Sequence, residues 1–257
     1  MIFCNPRFDD AEMSRLYSGY RGEHYTAIRE QFEPGYTERN EKIARDPGEL
    51  DARRRFSSNL IARAGRRFES ILDYGGDRGQ FIPPQFSHAR RFVYEVSGAE
   101  PEDGVISVTQ PDEQAPYDLV MCCHVLEHVP SPVDLLASIA ALASDKGLIY
   151  LEVPAGIPAI RYFQAALFRG QLKTRRQRFH EHVNAFTQCS LKNMMLAAGV
   201  EPLAVQTAFL DYGWTRSPVI GAIGVATGSP KRPAFGRVSL ALEGVDYAMK
   251  KAAAGRS

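Results

Sequence analysis

A glycine-rich turn that directly follows a short apolar segment is the feature that most constrains this sequence. The apolar segment ends at Asp73, and Gly75, Gly76 and Gly79 follow within six residues. Glycine adopts left-handed backbone conformations and lets another group approach the main chain closely. Between a strand and a helix, such a turn is where a nucleotide-type cofactor meets the edge of a sheet. The turn therefore predicts an α/β fold with a cofactor at the carboxyl end of its first core strand.

Short apolar runs alternate with helical patterns after the turn, which is typical of a parallel sheet. Strands are predicted at Ser70–Tyr74, Arg91–Val96, Gly104–Val108, Leu119–Cys123 and Gly147–Val153. Helices are predicted at Pro132–Ala143 and at Ser190–Ala198, the second with Thr187 or Ser190 as its cap and Gly199 after its end. Leu203–Phe209 and Pro218–Ala226 predict a terminal antiparallel hairpin. The expected fold class is α/β, a doubly wound, Rossmann-like and mostly parallel seven-stranded sheet.

The length of 257 residues fits one large α/β domain with appendages. Residues 1–60 carry many charges and spaced aromatic side chains without the β-branched runs of strands, so they predict a helical N-terminal lid or cap. Residues 61–228 are the predicted core, with a substrate-binding insertion at about 155–186. Residues 229–257 predict a linker and a last helix, Leu240–Ala253.

Composition argues against several function classes. The net charge of +1 gives no reason to expect nucleic acid as a partner, because duplex binders carry a strongly basic face. The four cysteines include no C-x-x-C pair, so no metal site is predicted, and Cys122 and Cys123 are expected to be buried. The sequence shows neither a signal-peptide pattern nor a membrane-spanning apolar segment, which predicts a cytoplasmic protein. The oligomeric state stays open.

An acidic residue at a suitable distance supports a nucleotide-type cofactor. Glu95 lies 22 residues after Asp73, at the end of the next apolar run, where a carboxylate accepts hydrogen bonds from both ribose hydroxyls. A dinucleotide would place its pyrophosphate against the turn. Asp77 in the middle of the turn would repel that group, whereas S-adenosylmethionine has no phosphate and carries a sulfonium cation. The charge pattern therefore favours S-adenosylmethionine over NAD.

From Ile71 to Ala226 the sequence resembles the class I S-adenosylmethionine-dependent methyltransferases. Asp73-x-Gly75-x-x-x-Gly79 is similar to the first motif of that family, although Asp77 stands where a second glycine is usual. Asp tolerates a left-handed backbone better than most residues, so the turn is expected to form. Two further segments resemble the fourth-strand and fifth-strand motifs of the family, namely Tyr117–Val129 and Lys146–Pro154.

The resemblance implies a set of cofactor contacts. Gly75 and Gly79 would line the methionine moiety, and Glu95 would hold the ribose. Asp112 or Glu113 would approach the adenine amino group, and His124 would lie near the transferred methyl group. The complete set of expected cofactor-binding residues is Asp73, Gly75, Gly76, Gly79, Glu95, Asp112, Cys123, His124 and Tyr20.

Within the family, the sequence looks most like bacterial enzymes that methylate sugars, nucleotide sugars, polysaccharides or natural-product intermediates. His180-Glu181-His182, followed by Asn184 and Phe186, resembles a segment of the sugar C-methyltransferases, and related O- and N-methylating proteins carry similar segments. Those C-methyltransferases often begin with a cysteine-rich zinc module, of which this sequence has only Cys4. The resemblance implies a glycan-type or other small acceptor and leaves the acceptor atom open.

Histidines are the candidates for removing a proton from the acceptor. His180 and His182 are two residues apart, so they point to the same side of an extended segment and either one could act as the base. The alternative is that His182 and Asn184 cap the following helix or fix a loop. His124 is a third catalytic candidate, whereas a structural role is expected for His128.

A basic run precedes these histidines, with five cations between Arg169 and Arg178. Arg175, Arg176 and Arg178 would bind a phosphate or another anionic group of the acceptor, and a solvated basic surface is the alternative. In the N-terminal segment, Tyr20 and Tyr25 belong to an aromatic cluster that predicts either a lid over the cofactor or a cap packed on the sheet. Tyr25 is also expected to contact the acceptor.

Three other function classes are weighed against this interpretation. A catalytically silent scaffold or partner subunit would share the fold, because fold does not fix function. An NAD-dependent oxidoreductase is disfavoured by Asp77. A nucleic-acid methyltransferase is disfavoured because Cys-His-Val-Leu-Glu-His stands where an Asp/Asn-Pro-Pro-aromatic step would suit a flipped base.

Overall fold

The computed structural model describes residues 2–3, 11–12, 15, 22–32, 34–38, 41, 48–156, 182–213 and 216–229. The predictions for His180, Tyr20, the basic residues Arg175, Arg176 and Arg178, and the helix Leu240–Ala253 lie outside these residues. Most of the expected insertion and C-terminal tail also lies outside them. No helix in the described part of the chain is both long and apolar enough to span a bilayer.

A seven-stranded sheet forms the centre of the described structure, in the order β4-β3-β2-β5-β6-β9-β8. The strands β2 to β6 run parallel, β9 is antiparallel to β6, and β8 is antiparallel to β9, which confirms the predicted fold class. The strands of the sheet are β2 (Ser70–Tyr74), β3 (Arg90–Tyr94), β4 (Val105–Val108), β5 (Tyr117–Cys123), β6 (Ala143–Pro154), β8 (Val200–Asp211) and β9 (Arg216–Ala226). Two short strands, β1 (Ile2–Phe3) and β7 (Asn184–Ala185), pair separately with each other.

Four helices accompany the sheet in the described residues: α1 (Glu23–Phe32), α2 (Gly48–Ala62), α3 (Pro132–Ala141) and α4 (Gln188–Ala197). The predicted signals at α4 are confirmed. Thr187 caps the helix by accepting a hydrogen bond from Ser190 N, Ser190 reciprocates, and Gly199 follows the helix with a φ of 76°.

Several predicted boundaries differ from the observed ones. Helix α3 ends at Ala141 rather than Ala143, and β6 begins at Ala143 rather than Gly147, because Ala143 already pairs with Tyr117 at the start of β5. Strand β3 ends at Tyr94, so Glu95 lies in the loop after the strand. The hairpin strands β8 and β9 are longer than the apolar pattern indicated, because ladder pairing extends from Val200 to Asp211.

Apolar side chains cover both faces of the sheet, as expected of a parallel sheet between helices. One face packs against α3 and α4 and includes Cys122, and the other includes the end of α2 and Cys123. Both cysteines are buried as predicted, and burial raises their thiol pKa values. The two adjacent cysteines therefore pack into the apolar cores on opposite faces of the sheet.

The point where strand order reverses lies between β2 and β5. From β2 the chain continues outward through β3 and β4, and then returns to β5 on the other side of β2. In open α/β sheets, ligands bind in the crevice at the carboxyl ends of the strands at such a reversal. The loops after β2 and β5, which begin at Gly75 and His124, therefore border the expected ligand crevice.

Candidate functional site

The glycine turn after β2 has the backbone that its sequence predicts. Gly75, Asp77 and Gly79 all have positive φ angles, of 67°, 55° and 76°. A Cβ atom on Gly75 would lie 2.6 Å from Val125 Cγ2, and one on Gly76 would collide with the Asp73 carboxyl group. Asp77 therefore adopts the left-handed conformation of the glycine that is usual at this place in the motif. At Gly75 and Gly76, neighbouring side chains lie too close to the backbone for a Cβ atom.

Glu95 and the turn are joined through backbone hydrogen bonds. Asp77 N donates to Glu95 Oε2 over 3.0 Å, and Ser97 N donates to Glu95 Oε1 over 2.9 Å. Gln80 Nε2 donates to Asp77 Oδ2, which orients the Asp77 carboxylate away from its own backbone. Each Glu95 oxygen keeps a second acceptor position. The carboxylate expected to hold a ribose is thus fixed at the tip of β3.

Asp73 lies beneath the turn in an unusual state for a carboxyl group. It is fully buried, and neither side-chain oxygen has a hydrogen-bond partner among the described residues. Burial raises the pKa of Asp73 to about 7, partly opposed by Arg53 and reinforced by Glu95. A buried carboxyl group without a partner is costly. The charge of Arg53 therefore compensates a negative charge at this point only in part.

The loop after β4 contains the residues expected near an adenine. Glu113 Oε1 accepts hydrogen bonds from Thr109 N and Gln110 N, each over 2.7 Å, so Glu113 stabilises the loop itself. Asp112 is exposed beside it. Both residues are exposed, and Glu113 is engaged by its own loop, so the choice between Asp112 and Glu113 as the adenine contact stays a prediction.

His124 lies between two buried carboxylates after β5. Its backbone has a φ of 58°, its Nδ1 lies 3.2 Å from Glu127 Oε1, and its Nε2 lies 3.2 Å from Glu152 Oε1. Burial and the charge of Arg53 lower the pKa of His124, but the contacts with the two carboxylates outweigh them and raise it. A ring whose two nitrogens both contact carboxylates is fixed in its orientation and is less suited to take a proton from an acceptor.

Arg53 of α2 also belongs to this charged group, through its contact with Glu152. Its Nε donates to Glu152 Oε1 over 2.6 Å, and its guanidinium lies 3.8 Å from the centre of the Phe81 ring. Tyr150 Oη donates to the other oxygen of Glu152 over 2.7 Å. Burial raises the pKa of Glu152, but Arg53 and His124 outweigh it and hold the pKa at about 2. A small crevice beside this group is lined by Arg53, Ser57, Phe81, Cys123 and Glu152.

His182 lies beside His128, on the far side of Glu127. The two rings meet edge to face with their centres 4.7 Å apart, and His128 Nε2 lies 3.7 Å from Glu127 Oε1. Asn184 fixes this arrangement because its Nδ2 donates to Leu126 O and Val129 O over 3.1 and 2.7 Å. In the segment His182-x-Asn184-x-Phe186, the histidine is exposed, whereas Asn184 and Phe186 are buried.

Tyr25 is buried, with its ring 6.2 Å from that of Tyr36 and 5.8 Å from the Arg29 guanidinium. These contacts lie within the N-terminal segment, and the choice between a lid and a cap packed on the sheet stays a prediction. The expected roles of Tyr25 and Tyr20 at the ligand remain predictions.

Sequence reasoning missed three charged residues of the site, Arg53, Glu127 and Glu152. Glu127 and Glu152 stand within apolar runs near the ends of β5 and β6, which is a recognisable signal for a buried acid. Arg53 stands in the run Arg53-Arg54-Arg55 of an amphipathic helix, and nothing in that run distinguishes the buried arginine from its neighbours. Only the packing of α2 on the sheet determines which of the three arginines is buried.

Comparison with known proteins agrees with the fold described above. The solved structures that share the fold include a magnesium protoporphyrin IX methyltransferase from Synechocystis PCC 6803 with bound S-adenosylmethionine, at 15% identity and a TM-score of 0.52. They also include a possible histamine N-methyltransferase from Thermotoga maritima, at 16% identity and a TM-score of 0.50. The matches cover 86% and 78% of this chain, and 99% and 98% of the other chains. No curated protein matches the sequence.

A family model described as "Methyltransferase domain" matches residues 49–205, which is more than half of the chain. This range contains the glycine turn, Glu95, the charged group around His124 and the Asn184 anchor. The cofactor of such domains is S-adenosylmethionine. The chain belongs to this methyltransferase domain family.

Proposed function

We propose that this protein transfers a methyl group from S-adenosylmethionine to a small acceptor bound above His124. The observation that carries the proposal is Asp73, a fully buried carboxyl group whose oxygens have no hydrogen-bond partner among the described residues. It lies beneath Gly76, where a Cβ atom would collide with it. A cofactor with a sulfonium and an ammonium group supplies the positive charge that this carboxyl group lacks. The site residues therefore fit the cofactor of the family.

Several of the expected cofactor contacts lie in the loops after β2, β3 and β4, at the carboxyl ends of these strands. Gly75, Gly76 and Gly79 give the methionine moiety access to the backbone. Glu95 keeps acceptor positions for the ribose hydroxyls, and Asp112 offers an exposed carboxylate for the adenine amino group. When bound, the cofactor supplies an electrophilic methyl group on sulfur. The chain then has to align the acceptor and exclude water.

A base is needed wherever the acceptor atom carries a proton that must leave. Both nitrogens of His124 face carboxylates, so its proposed role is to position the crevice. The base is one of the two histidines of the segment His180-Glu181-His182. His182 is exposed, and its ring contacts that of His128 in the loop after β5.

The proposed acceptor is an anionic sugar, nucleotide sugar or polysaccharide intermediate. This part of the proposal rests on the sequence, since Arg175, Arg176 and Arg178 immediately precede the two histidines. Guanidinium groups match phosphate geometry by paired hydrogen bonds. Replacing the three arginines with alanine is expected to raise the KM for an anionic acceptor at least tenfold, while the Kd for S-adenosylmethionine stays within about twofold. An unchanged KM would refute the anionic acceptor.

Calorimetric titration with S-adenosylmethionine, followed by a mass-spectrometric screen of acceptors, tests the function. Binding of one cofactor per chain and a mass gain of one methyl group on an acceptor would support it. The alternative, a catalytically silent scaffold, predicts no methyl gain on any acceptor. Absence of cofactor binding would remove the enzyme interpretation altogether.

A further inference from the structure

Three potential metal ligands meet on the acceptor side of the site. Glu127 and His128 come from the loop after β5, and His182 comes from the segment before β7. One ligand atom from each residue lies within 4.8 Å of the other two. We propose that Glu127, His128 and His182, termed here the Glu-His-His cluster, bind a divalent transition-metal ion of the Zn²⁺ class.

The donor set fits such an ion. Two imidazole nitrogens and one carboxylate oxygen are the protein ligands of catalytic zinc sites, which keep a fourth position open. With metal–ligand distances of about 2.0–2.2 Å, the ligand atoms of a tetrahedral site are about 3.4 Å apart. His128 Nε2 and Glu127 Oε1 are already 3.7 Å apart. His182 is exposed, so rotation of its side chain can close the remaining distance.

Glu127 gives a second, independent reason to expect a cation. Its side chain is 1% exposed, and neither oxygen has a hydrogen-bond partner of good geometry among the described residues. The contact with His124 at 3.2 Å is an ion pair to Oε1 and leaves Oε2 without a partner. Buried polar groups in this state often mark the place of an ion or water. A cation between Glu127 and the two histidines would give this buried carboxylate a partner in addition to His124.

The backbone around the cluster is held in place. Asn184 donates to Leu126 O and Val129 O, one residue away from Glu127 and His128 respectively, and Asn184 N donates to Glu127 O over 3.0 Å. His182 is two residues before Asn184, so both segments that supply ligands are tied to each other. Metal sites require this kind of support for their ligands.

The position of the cluster suggests what the ion does. His124 contacts Glu127 of the cluster through Nδ1 and Glu152 at the end of β6 through Nε2, so an ion in the cluster would lie beside the candidate site. An ion there would bind a hydroxyl or carboxylate oxygen of the acceptor and orient it. This role rests on the proposed function, but metal binding itself does not. With His182 as a ligand, His180 is the histidine that remains as the base.

Cobalt titration of tag-free full-length protein tests the proposal. After chelator treatment and dialysis, Co²⁺ is expected to bind at one ion per chain with the visible absorption of a nitrogen- and oxygen-ligated site, and Zn²⁺ is expected to displace it. His182→Ala changes an exposed side chain and is expected to weaken Co²⁺ binding at least tenfold. Glu127→Gln is expected to do the same. His88→Ala, which removes another exposed histidine, is the matched control and is expected to leave binding unchanged.

The results of these titrations distinguish failure of the metal site from failure of the proposed function. No visible absorption, or equal Co²⁺ affinity in the wild type and His182→Ala, would overturn the metal site and leave Glu127, His128 and His182 as a metal-free hydrogen-bonding group. S-adenosylmethionine binding is measured separately by calorimetry on the chelated protein. Cofactor binding without Co²⁺ binding overturns only the metal site, whereas Co²⁺ binding without cofactor binding supports it and overturns the proposed function.

Discussion

Asp73→Asn tests the buried carboxyl group beneath the glycine turn. The pKa of Asp73 is raised from 3.8 to about 7, first by burial and then by the nearby acids, against the opposing charge of Arg53. In the unfolded chain the carboxyl group returns to its ordinary pKa. A difference of this size corresponds to about 4 kcal/mol between the protonated and ionised forms in the folded protein.

The sign of the pH effect follows from which state binds more protons. Between pH 4 and pH 7 the folded chain keeps the Asp73 proton and the unfolded chain loses it. The free energy of unfolding of the cofactor-free protein therefore falls as pH rises through this window. Asparagine does not titrate. From pH 5 to pH 8, the stability of Asp73→Asn relative to the wild type is expected to increase by about 3 kcal/mol.

Urea unfolding followed by circular dichroism, at pH steps from about 5 to 8, measures this difference. Effects of other titrating groups largely cancel, because both proteins share them. Asp134→Asn is the matched control, since this exposed carboxyl group of α3 is surrounded by solvent in both states. A stability difference between Asp73→Asn and wild type that stays constant within about 1 kcal/mol over the whole range would refute the reasoning.

The cofactor provides a second measurement of the same group. If S-adenosylmethionine binds the ionised form of Asp73, its affinity depends on the fraction of ionised carboxyl groups. At pH 6 about one group in ten is ionised, since the pKa is about 7. The affinity is therefore expected to be about tenfold lower at pH 6 than at pH 8. Asp73→Asn is expected to abolish this pH dependence, and calorimetry in both proteins checks it.

Three further substitutions test the packing of the site. Glu152→Gln removes the carboxylate 2.6 Å from Arg53 Nε and leaves this buried cation the longer contact with Glu49, at 4.0 Å. The free energy of unfolding should fall by about 3 kcal/mol in urea titration, and a loss below about 1 kcal/mol would contradict this. Gly75→Ala should reduce S-adenosylmethionine affinity at least tenfold in calorimetry, whereas Gly65→Ala, also at positive φ but with open space around it, should leave affinity unchanged. Asn184→Ala removes two hydrogen bonds to backbone carbonyls and should destabilise the chain by about 1–3 kcal/mol, and wild-type stability would show that the anchor is not needed.

Local sequence patterns were enough to predict the sheet and its turn. Strand β2 has the predicted bounds, and the hairpin of β8 and β9 forms at the end of the sheet. Asp77 takes the left-handed conformation expected of it, with a φ of 55°. These features depend on neighbouring residues, namely apolar runs, glycines and caps. Boundaries shifted by a few residues because strand pairing, rather than local preference, decides where a strand begins and ends.

The charged group of the site could not be predicted in the same way. Arg53, His124 and Glu152 are separated by up to 99 positions in the sequence, and their contacts exist because α2 packs on the sheet at β8 and β9 and brings Arg53 to Glu152 of β6. The meeting of His128 and His182 likewise requires Asn184 to tie two distant segments together. Sequence reasoning proposed the histidines individually and had no means of pairing them with acids.

By itself, the sequence determined the fold class, the cofactor turn and the acid that follows the next strand, because each depends on residues close together in the chain. Only the tertiary structure decided which charges are buried and with which partners. Burial changes the free energy of ionising a carboxyl group or an imidazole far more than any local preference does. For this reason Asp73, His124 and Glu127 acquire their chemical character only when the sheet and its helices are assembled.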